Sequence, residues 1–292
     1  MKTSNRFTQR FTFVTIALFL TTTVWAKSTL WKVTSEKGTL YLQGSVHLLK
    51  AEDYPLDPAI EKAFAKSSTV FFEVDIGKMN QMSTQQLLLK KALLQKGKTL
   101  QSTLNAATFS RLETSCKKSN IPLKQMSAFK PWFIVVALTV FETQKLGFSP
   151  DKGLDNYFFK KAVAEKKKTV ALETIEFQLN LFDCLSKQNP NDFVNYSLDD
   201  LNQLPTIMEN LRTAWKSGDF KALEKLINDN INKYSDLKKT FLTDRNKRWE
   251  KVLIKQLQTS ETAIVIVGAA HLVGKEGVVE LLKAQGYKVE QL

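Results

Sequence analysis

Residues 42–49 read LQGSVHLL and residues 266–273 read IVGAAHLV, so two apolar runs lead into the same short pattern, a glycine followed three positions later by a histidine. The 292-residue chain contains only two histidines, and both stand in these segments, as His47 and His271. Short apolar runs rich in β-branched residues predict buried strands. A strand, a GxxH segment, a loop, a helix and another strand therefore occur once near each end of the chain.

These two units predict an α/β fold with a central mixed or mainly parallel sheet, because equivalent units at opposite ends of a chain can lie side by side in one sheet. Residues 29–46 predict two strands joined by a turn at 36–38. Asp57 and Pro58 predict a helix start, and residues 68–76 a further strand that ends in two carboxylates. The tail predicts a strand at 261–268, a helix closed by Gly286 and a final strand.

The middle of the chain, from about residue 80 to 260, is predicted to be a large helical insertion interrupted by one strand near 168–173. The periodicity predicts helices at 84–95, 106–119, 131–145, 155–167, 175–186, 198–216, 220–231 and 237–258. No Gly/Ser-rich or Pro-rich linker divides this stretch, so residues 27–292 are predicted to form one domain.

Residues 1–26 have the features of a secretory signal peptide. Lys2, Arg6 and Arg10 precede the apolar run at 11–20, and small residues end at Ala26. The alternative, a membrane anchor, is disfavoured because the run is shorter than the roughly 20 residues that cross a bilayer. We therefore expect a periplasmic or secreted protein with no transmembrane helix after cleavage.

Charge and cysteine content limit the partners. The formal net charge is +13, and the predicted signal peptide accounts for only three of these charges. For an exported basic protein, an anionic polysaccharide or a membrane surface is a possible partner, whereas nucleic acid is not expected. Cys116 and Cys184 are candidates for one disulfide in an oxidising compartment, with two free thiols as the alternative.

The residues that follow the predicted strands suggest a site. Ligands of mainly parallel sheets collect beyond the carboxyl ends of the strands. Gly44 and His47 fall at one such end, Gly268 and His271 at another, and Glu73 near a third. Two imidazoles and a carboxylate form a ligand set for a divalent cation such as Zn, Mn, Fe or Co.

A cation bound there would activate water for hydrolysis. Glu73 or Asp75 could then be the general base, and the sequence does not separate a ligand from a base. A single GxxH histidine is often only structural, but the pairing of the only two histidines favours a shared site. The sequence has no GxSxG elbow, P-loop or GxGxxG fingerprint that would indicate another centre.

Further segments give the chain a family resemblance. They are FFEVD at 71–75, GLDNYFFKKAVAEKKKTVALETIEFQ at 153–178, DRNKRW at 244–249 and VGAAHLVGKEGVVELLKAQGYKVEQL at 267–292. With the first GxxH unit, in this order and spacing, the chain resembles the TraB/GumN family, which also includes the animal TIKI proteins. The resemblance implies a fold similar to the erythromycin esterase and ChaN-like group, with paired GxxH motifs and an acidic residue forming a proposed metal centre.

Family members differ in what they are associated with. TIKI members look like metal-dependent proteases, GumN members are linked to exopolysaccharide gene clusters, and TraB members to the shutdown of a peptide pheromone. The resemblance implies that His47 and His271 are metal ligands and that Glu73 is a ligand or the base.

The resemblance also implies that Arg245 and Asn246 are site residues, from an acidic-Arg-Asn motif in which Asp244 stands where many members have glutamate. The guanidinium of Arg245 could stabilise an oxyanion or bind a substrate carboxylate; a surface salt bridge is the alternative. Asp155 and Glu173 are predicted to orient the ligands or to cap helices.

The function predicted from the sequence is an exported metal-dependent hydrolase, peptidase-like, that acts on a peptide or protein with Mn, Co or Zn as cofactor. The alternative is a non-catalytic factor that binds a peptide or glycan, linked to surface polysaccharide or to a signalling peptide.

Overall fold

A computed structural model describes residues 28–185, 189–231 and 235–292. The strands are β1 (Leu30–Thr34), β2 (Thr39–Ser45), β3 (Thr69–Phe72), β4 (Lys168–Ala171), β5 (Thr262–Gly268) and β6 (Lys288–Gln291). They form one sheet in the order β4-β3-β5-β2-β1-β6. The four strands from β4 to β2 are parallel, whereas β1 runs antiparallel to both of its neighbours. The predicted α/β class with a mainly parallel sheet is confirmed.

Helices fill most of the remaining chain. They are α1 (Pro58–Lys66), α2 (Met82–Ala92), α3 (Leu100–Thr103), α4 (Ala106–Lys118), α5 (Pro131–Lys145), α6 (Leu154–Ala164), α7 (Ile175–Leu185), α8 (Pro190–Lys216), α9 (Phe220–Ile231), α10 (Ser235–Lys238), α11 (Asp244–Leu257) and α12 (Val278–Ala284). Residues Lys239–Thr243 form a π-helical turn between α10 and α11.

Several helix boundaries differ from the sequence prediction, and three of the differences have a visible cause. The helix expected from residue 198 starts at Pro190, because Asn189 caps it by accepting the N–H groups of Asn191 and Asp192. The helix expected over 237–258 is broken by the π-helical turn. The helix predicted to be closed by Gly286, which the sequence pattern extends back to residue 274, starts at Val278, because Gly274 has a positive φ.

The two GxxH units lie side by side. β2 and β5 pair in parallel, with Gly44 opposite Val267 and Ser45 opposite Gly268. β3 pairs in parallel with the other side of β5 and ends at Phe72. Because parallel strands end at the same edge of the sheet, the residues that follow β2, β3 and β5 converge there.

The sheet is packed on both faces. Ile264 and Ile266 of β5 face a cluster that includes Phe64 of α1 and Phe158 of α6. The alternating residues Ala263, Val265 and Val267 face a second cluster with α11 and α12. A third cluster joins α4, α5 and α8. β5 is apolar throughout because a central parallel strand is covered on both faces.

Several sequence predictions concern the chain ends, membrane crossing and the cysteines. The predicted signal peptide lies outside the described residues. Within the described ranges, no helix is long and apolar enough to cross a membrane.

Cys116 and Cys184 are both free thiols, so the predicted disulfide is not present. Cys116 packs inside the third hydrophobic cluster, and a cysteine count carries no information on whether two Cβ atoms come within bonding reach.

Candidate functional site

His47 stands at the rim of the site with one ring nitrogen fixed. Its Nδ1 lies 2.8 Å from Oδ2 of Asp155, and the same oxygen accepts a hydrogen bond from Ser45 Oγ at 2.8 Å. The imidazole is 64% exposed. The Nδ1 contact orients the ring and leaves Nε2 available.

A close backbone contact puts Asp155 beside His47. Leu154 N donates to the carbonyl of Val46 at 3.1 Å, which attaches the first turn of α6 to the loop after β2. A Cβ on Gly153 would lie 2.2 Å from the carbonyl oxygen of His47, so only glycine permits this approach. The GLD segment therefore places the Asp155 carboxylate on Nδ1 of His47.

We expect Asp155→Asn to lower the pKa of His47. The Asp155 carboxylate raises the pKa of this imidazole above its ordinary value of 6.5 by favouring the protonated form. Without that charge, the pKa should fall towards 6.5 or below. NMR titration of the two histidines in the metal-free protein measures the shift.

Ser45→Ala is the matched control for that titration, because it removes a hydrogen bond to Asp155 and keeps the charge. We expect the pKa of His47 to change little in this variant. Equal pKa values in wild type and Asp155→Asn would show that the ion pair does not form in solution.

Glu73 lies at the centre of the site. Its Oε1 accepts the backbone N–H of Gly268 at 2.8 Å, and its Oε2 accepts from Arg245 Nη2 at 2.6 Å and from Gln178 Nε2 at 3.0 Å. Burial opposes ionisation, but the His47 imidazole that Asp155 keeps protonated, the Arg245 guanidinium and the Gly268 N–H outweigh it and lower the pKa of Glu73. Glu73 is therefore a carboxylate at neutral pH.

His271 is buried, with only 4% of the residue exposed. Its Nδ1 lies 2.6 Å from Asn246 Oδ1, an acceptor, so Nδ1 carries the proton and Nε2 carries the lone pair. Nε2 lies 4.0 Å from Oε1 of Glu73. The ring packs on Trp249 at a centroid distance of 4.3 Å. Burial lowers the pKa of His271 to about 3, which makes it a neutral imidazole at physiological pH.

Arg245 connects the buried groups. Its Nε donates to Glu173 at 2.9 Å, Nη2 donates to Glu73, and Nη1 donates to the carbonyl of Phe241 at 3.1 Å and to Nε2 of His271 at 3.0 Å. The residue is 5% exposed. The alternative of a surface salt bridge is therefore wrong. Because all three nitrogens are already engaged, the guanidinium could contact an oxyanion only after giving up one of these partners.

The local sequence explains how Arg245 reaches these partners. The π-helical turn before α11 presents the Phe241 carbonyl to the guanidinium, and such turns are frequent at functional sites. Glu173 follows β4, next to β3, and its backbone N donates to the carbonyl of Glu73 at 2.9 Å. Arg245 thereby joins α11 to the carboxyl ends of two neighbouring strands.

Gly268 has the three proposed ligand side chains around its Cα. A Cβ at this position would lie 3.3 Å from Glu73 Oε1, 3.6 Å from His47 Nε2 and 3.7 Å from His271 Cδ2. The two rings predicted from the paired GxxH motifs thus approach one common point. The role of these two rings as metal ligands stays a prediction.

We expect Gly268→Ala to disturb both imidazoles and to cost about 1–3 kcal/mol of unfolding free energy, because the methyl group presses on the Glu73 carboxylate. Both histidine ring signals should shift in NMR spectra. Gly44→Ala is the matched control: its Cβ would meet Ala269 Cβ at 3.2 Å and none of the three side chains. Unchanged ring signals in Gly268→Ala would contradict this geometry.

Two acidic residues named in the sequence analysis lie away from the centre. Asp75, the alternative base, pairs with Lys78 at 3.0 Å and is exposed enough to be solvated. Asp244 pairs with Lys239 at 2.5 Å on the outer side of α11. The next two residues, Arg245 and Asn246, point inward because successive helical positions are about 100° apart.

Other residues of the site were not singled out from the sequence. Trp249 packs against His271 and under the guanidinium of Arg245, 4.8 Å from the ring centroid. Its position four residues after Arg245 was a usable signal, since i and i+4 share a helix face. Gln178 and the carbonyl of Phe241 gave no comparable signal.

The donor chemistry of the site fits a divalent cation. Both imidazoles are held through Nδ1, so each Nε2 is the atom that could bind a cation, and Glu73 is ionised beside them. On His47 a cation would have to replace the proton that Asp155 favours on the ring. In the part of the chain that the structure describes, no three His, Cys, Asp or Glu side chains are already assembled as a metal site. Arg245 occupies Nε2 of His271, and a cation would have to replace that contact.

The fold and this cluster define a class: an α/β protein whose two GxxH loops and one glutamate meet at the carboxyl edge of a mainly parallel sheet. The model of the TraB/PrgY/gumN family matches residues 29–291, and the chain belongs to that family. The resemblance found in the sequence is thereby confirmed.

One curated relative shows what similar chains are named for. Metalloprotease TIKI1 of Danio rerio is 22% identical over an aligned length of 315, and the alignment covers 90% of this chain. The match covers 63% of TIKI1, so the chain spans less than two thirds of that relative's length. No solved structure matches the chain.

Proposed function

We propose that this protein is a metal-dependent hydrolase of peptide bonds, with Mn²⁺, Co²⁺ or Zn²⁺ held by His47, Glu73 and His271. The observation that carries this proposal is the fixed orientation of both imidazoles. Asp155 and Asn246 each hold one Nδ1, and both rings approach the Glu73 carboxylate. The name of the relative, a metalloprotease, supports the same reaction class.

A bound divalent cation would lower the pKa of water and polarise a scissile carbonyl. The chain's own residues supply orientation and a proton acceptor. Among the residues that the structure describes, Oε1 of Glu73 accepts one N–H, from Gly268, and a carboxylate oxygen has two lone pairs. Glu73 can therefore serve as a ligand or take a proton from the attacking water. Arg245 keeps this carboxylate ionised and in place.

Space for part of a substrate lies next to Asn246, in a cavity that none of the three proposed metal ligands lines. A cavity of about 320 Å³ opens next to Ala270 and Asn246, between α9 and the loop after β5, with Thr243 and Val273 in its wall. A peptide side chain fits a volume of this order. The exposed ring of His47 leaves its own side of the site open to a peptide.

The same proposal includes export, with residues 1–26 as a cleaved signal peptide and a peptide or protein outside the cytoplasm as substrate. The lysine and arginine residues near the amino terminus and the apolar run that follows support it.

The test is cleavage of a broad peptide library by purified protein loaded with Mn²⁺, Co²⁺ or Zn²⁺. We expect cleavage that a chelator abolishes and that His47→Ala loses, because this ring is a proposed metal ligand. The variant should stay folded, because the exposed ring can be removed without loss of packing. Asp75→Asn is the matched control, since Asp75 pairs with Lys78 away from the cluster. Metal-independent cleavage, or full activity in His47→Ala, would contradict the proposed site.

A second candidate function is the binding of a peptide without catalysis. It is favoured by the contact between Arg245 and Nε2 of His271, because the guanidinium there occupies the nitrogen that a metal ion would bind. In that case the same library is bound by the protein and recovered uncleaved under every metal.

A further inference from the structure

Exposed apolar side chains are concentrated on one short stretch of the surface. Met79, Met82, Leu89 and Leu93 are four of the nine large hydrophobic residues that are exposed in the described chain, and they fall within residues 79–93. Met82 is 76% exposed. A cluster of this kind is unusual on a protein surface and marks an interaction site.

The helical geometry aligns these side chains. Met82 and Leu89 are seven positions apart, and Leu93 follows four positions later at the end of α2. At 100° per residue, these three positions lie within about 40° of one another around the helix axis. The side of α2 about 100° around the axis from this direction is held by the protein, because Leu88 and Ala92 pack into the third hydrophobic cluster. Met82, Leu89 and Leu93, with the exposed Gln86 among them, form a mostly apolar stripe on the outer face of α2.

The same segment carries only positive charge. Between residues 76 and 112 the sequence contains no aspartate or glutamate, but it contains Lys78, Lys90, Lys91, Lys96, Lys98 and Arg111. Lys78 pairs with Asp75 and Arg111 with Asp199. The other four lysines have no ion pair among the residues that the structure describes. Lys90 lies beside the apolar stripe, Lys91 lies on the far side of α2, and Lys96 and Lys98 lie in the loop after the helix. We call the stripe and these four lysines the α2 surface.

We infer that the α2 surface binds peripherally to membranes that contain anionic phospholipids. An amphipathic helix with Met and Leu on one face and lysines beside them lies in the lipid headgroup region, with the apolar side chains in the acyl boundary. Each lysine near an anionic leaflet contributes a favourable electrostatic interaction. The charge complementarity favours lipid over a second copy of this basic chain, because two positive surfaces repel each other.

Membrane contact at α2 would also place the candidate site near the lipid. α2 begins nine residues after Glu73 and packs against α7. α7 carries Gln178, which donates to Glu73. Binding to lipid requires neither a metal ion nor hydrolysis, so it can be tested separately from the proposed function.

The experiment is co-sedimentation of the purified chain with vesicles of phosphatidylcholine, with and without about one third phosphatidylglycerol. We expect binding only to the anionic vesicles and its loss at high salt. The variant K90Q/K91Q/K96Q/K98Q should bind about a hundredfold more weakly or worse. The variant M82Q/L89Q/L93Q should bind at least about tenfold more weakly. Thermal unfolding confirms that each variant is folded.

The matched control is K62Q/K66Q/K251Q/K255Q, which removes four exposed lysines from α1 and α11 and changes the net charge equally. We expect its binding to stay within about threefold of wild type. Equal weakening in both lysine variants would assign the attraction to net charge alone and overturn the inference. Absence of binding to anionic vesicles, with self-association that M82Q/L89Q/L93Q abolishes, would assign the surface to a second copy instead.

Discussion

Replacement of Glu73 by glutamine is expected to reduce metal-dependent peptide cleavage by about 10²- to 10⁴-fold. The amide keeps the size of the side chain and an oxygen that can accept the N–H of Gly268. It removes the negative charge between the two imidazoles, which a cation needs and which a proton acceptor must carry. The rate of cleavage at saturating metal measures the loss, and the unfolding free energy shows whether the fold is kept.

Glu173→Gln is the matched control, because Glu173 is a second buried carboxylate on Arg245 but has no contact with either histidine among the described residues. We expect this variant to retain most of the activity. Equal losses in the two variants would mean that Glu73 acts only by holding Arg245, and the assignment of Glu73 as ligand or base would then be wrong.

Replacement of Arg245 by methionine is expected to lower the unfolding free energy by about 3–5 kcal/mol. Methionine fills a similar volume without charge, so the carboxylates of Glu73 and Glu173 remain buried with no cation between them. Nε2 of His271 and the carbonyl of Phe241 also lose their donor. Urea unfolding at neutral pH measures the loss.

The triple variant Arg245→Met, Glu73→Gln, Glu173→Gln tests the cause. If two uncompensated negative charges cause the loss, neutral amides should restore part of the stability that Arg245→Met removes. A change of less than about 1 kcal/mol in Arg245→Met would show that the guanidinium is not a structural centre of this fold. An equally unstable triple variant would assign the loss to packing rather than to charge.

The fold was largely predictable because its signals are local. The apolar runs of β2 and β5 and the turn at 36–38 follow from strand periodicity, and the matching GxxH segments indicated that the two strands are neighbours. Helix boundaries were less predictable. The Asn189 cap and the π-helical turn depend on how side chains and carbonyls pair in three dimensions, which periodicity does not encode.

The sequence predicted which residues lie at the centre of the candidate site but not how their side chains contact one another. The sequence indicated that His47, Glu73 and His271 converge, because each follows a buried strand. It gave no sign that Arg245 donates to His271, since 26 residues separate them and the contact depends on how α11 crosses the edge of the sheet. It also suggested a disulfide from two cysteines whose thiols are both free.

The most direct measurement of the central claim is the NMR response of the two histidines to Co²⁺ in the purified protein. With only two histidines in the chain, each ring signal can be assigned by a single variant, and a paramagnetic ion strongly shifts the rings that bind it. We predict that about one Co²⁺ per chain shifts both rings together and that Glu73→Gln weakens this response. A response of His47 alone, with His271 unchanged on its Arg245 contact, would contradict a shared metal centre.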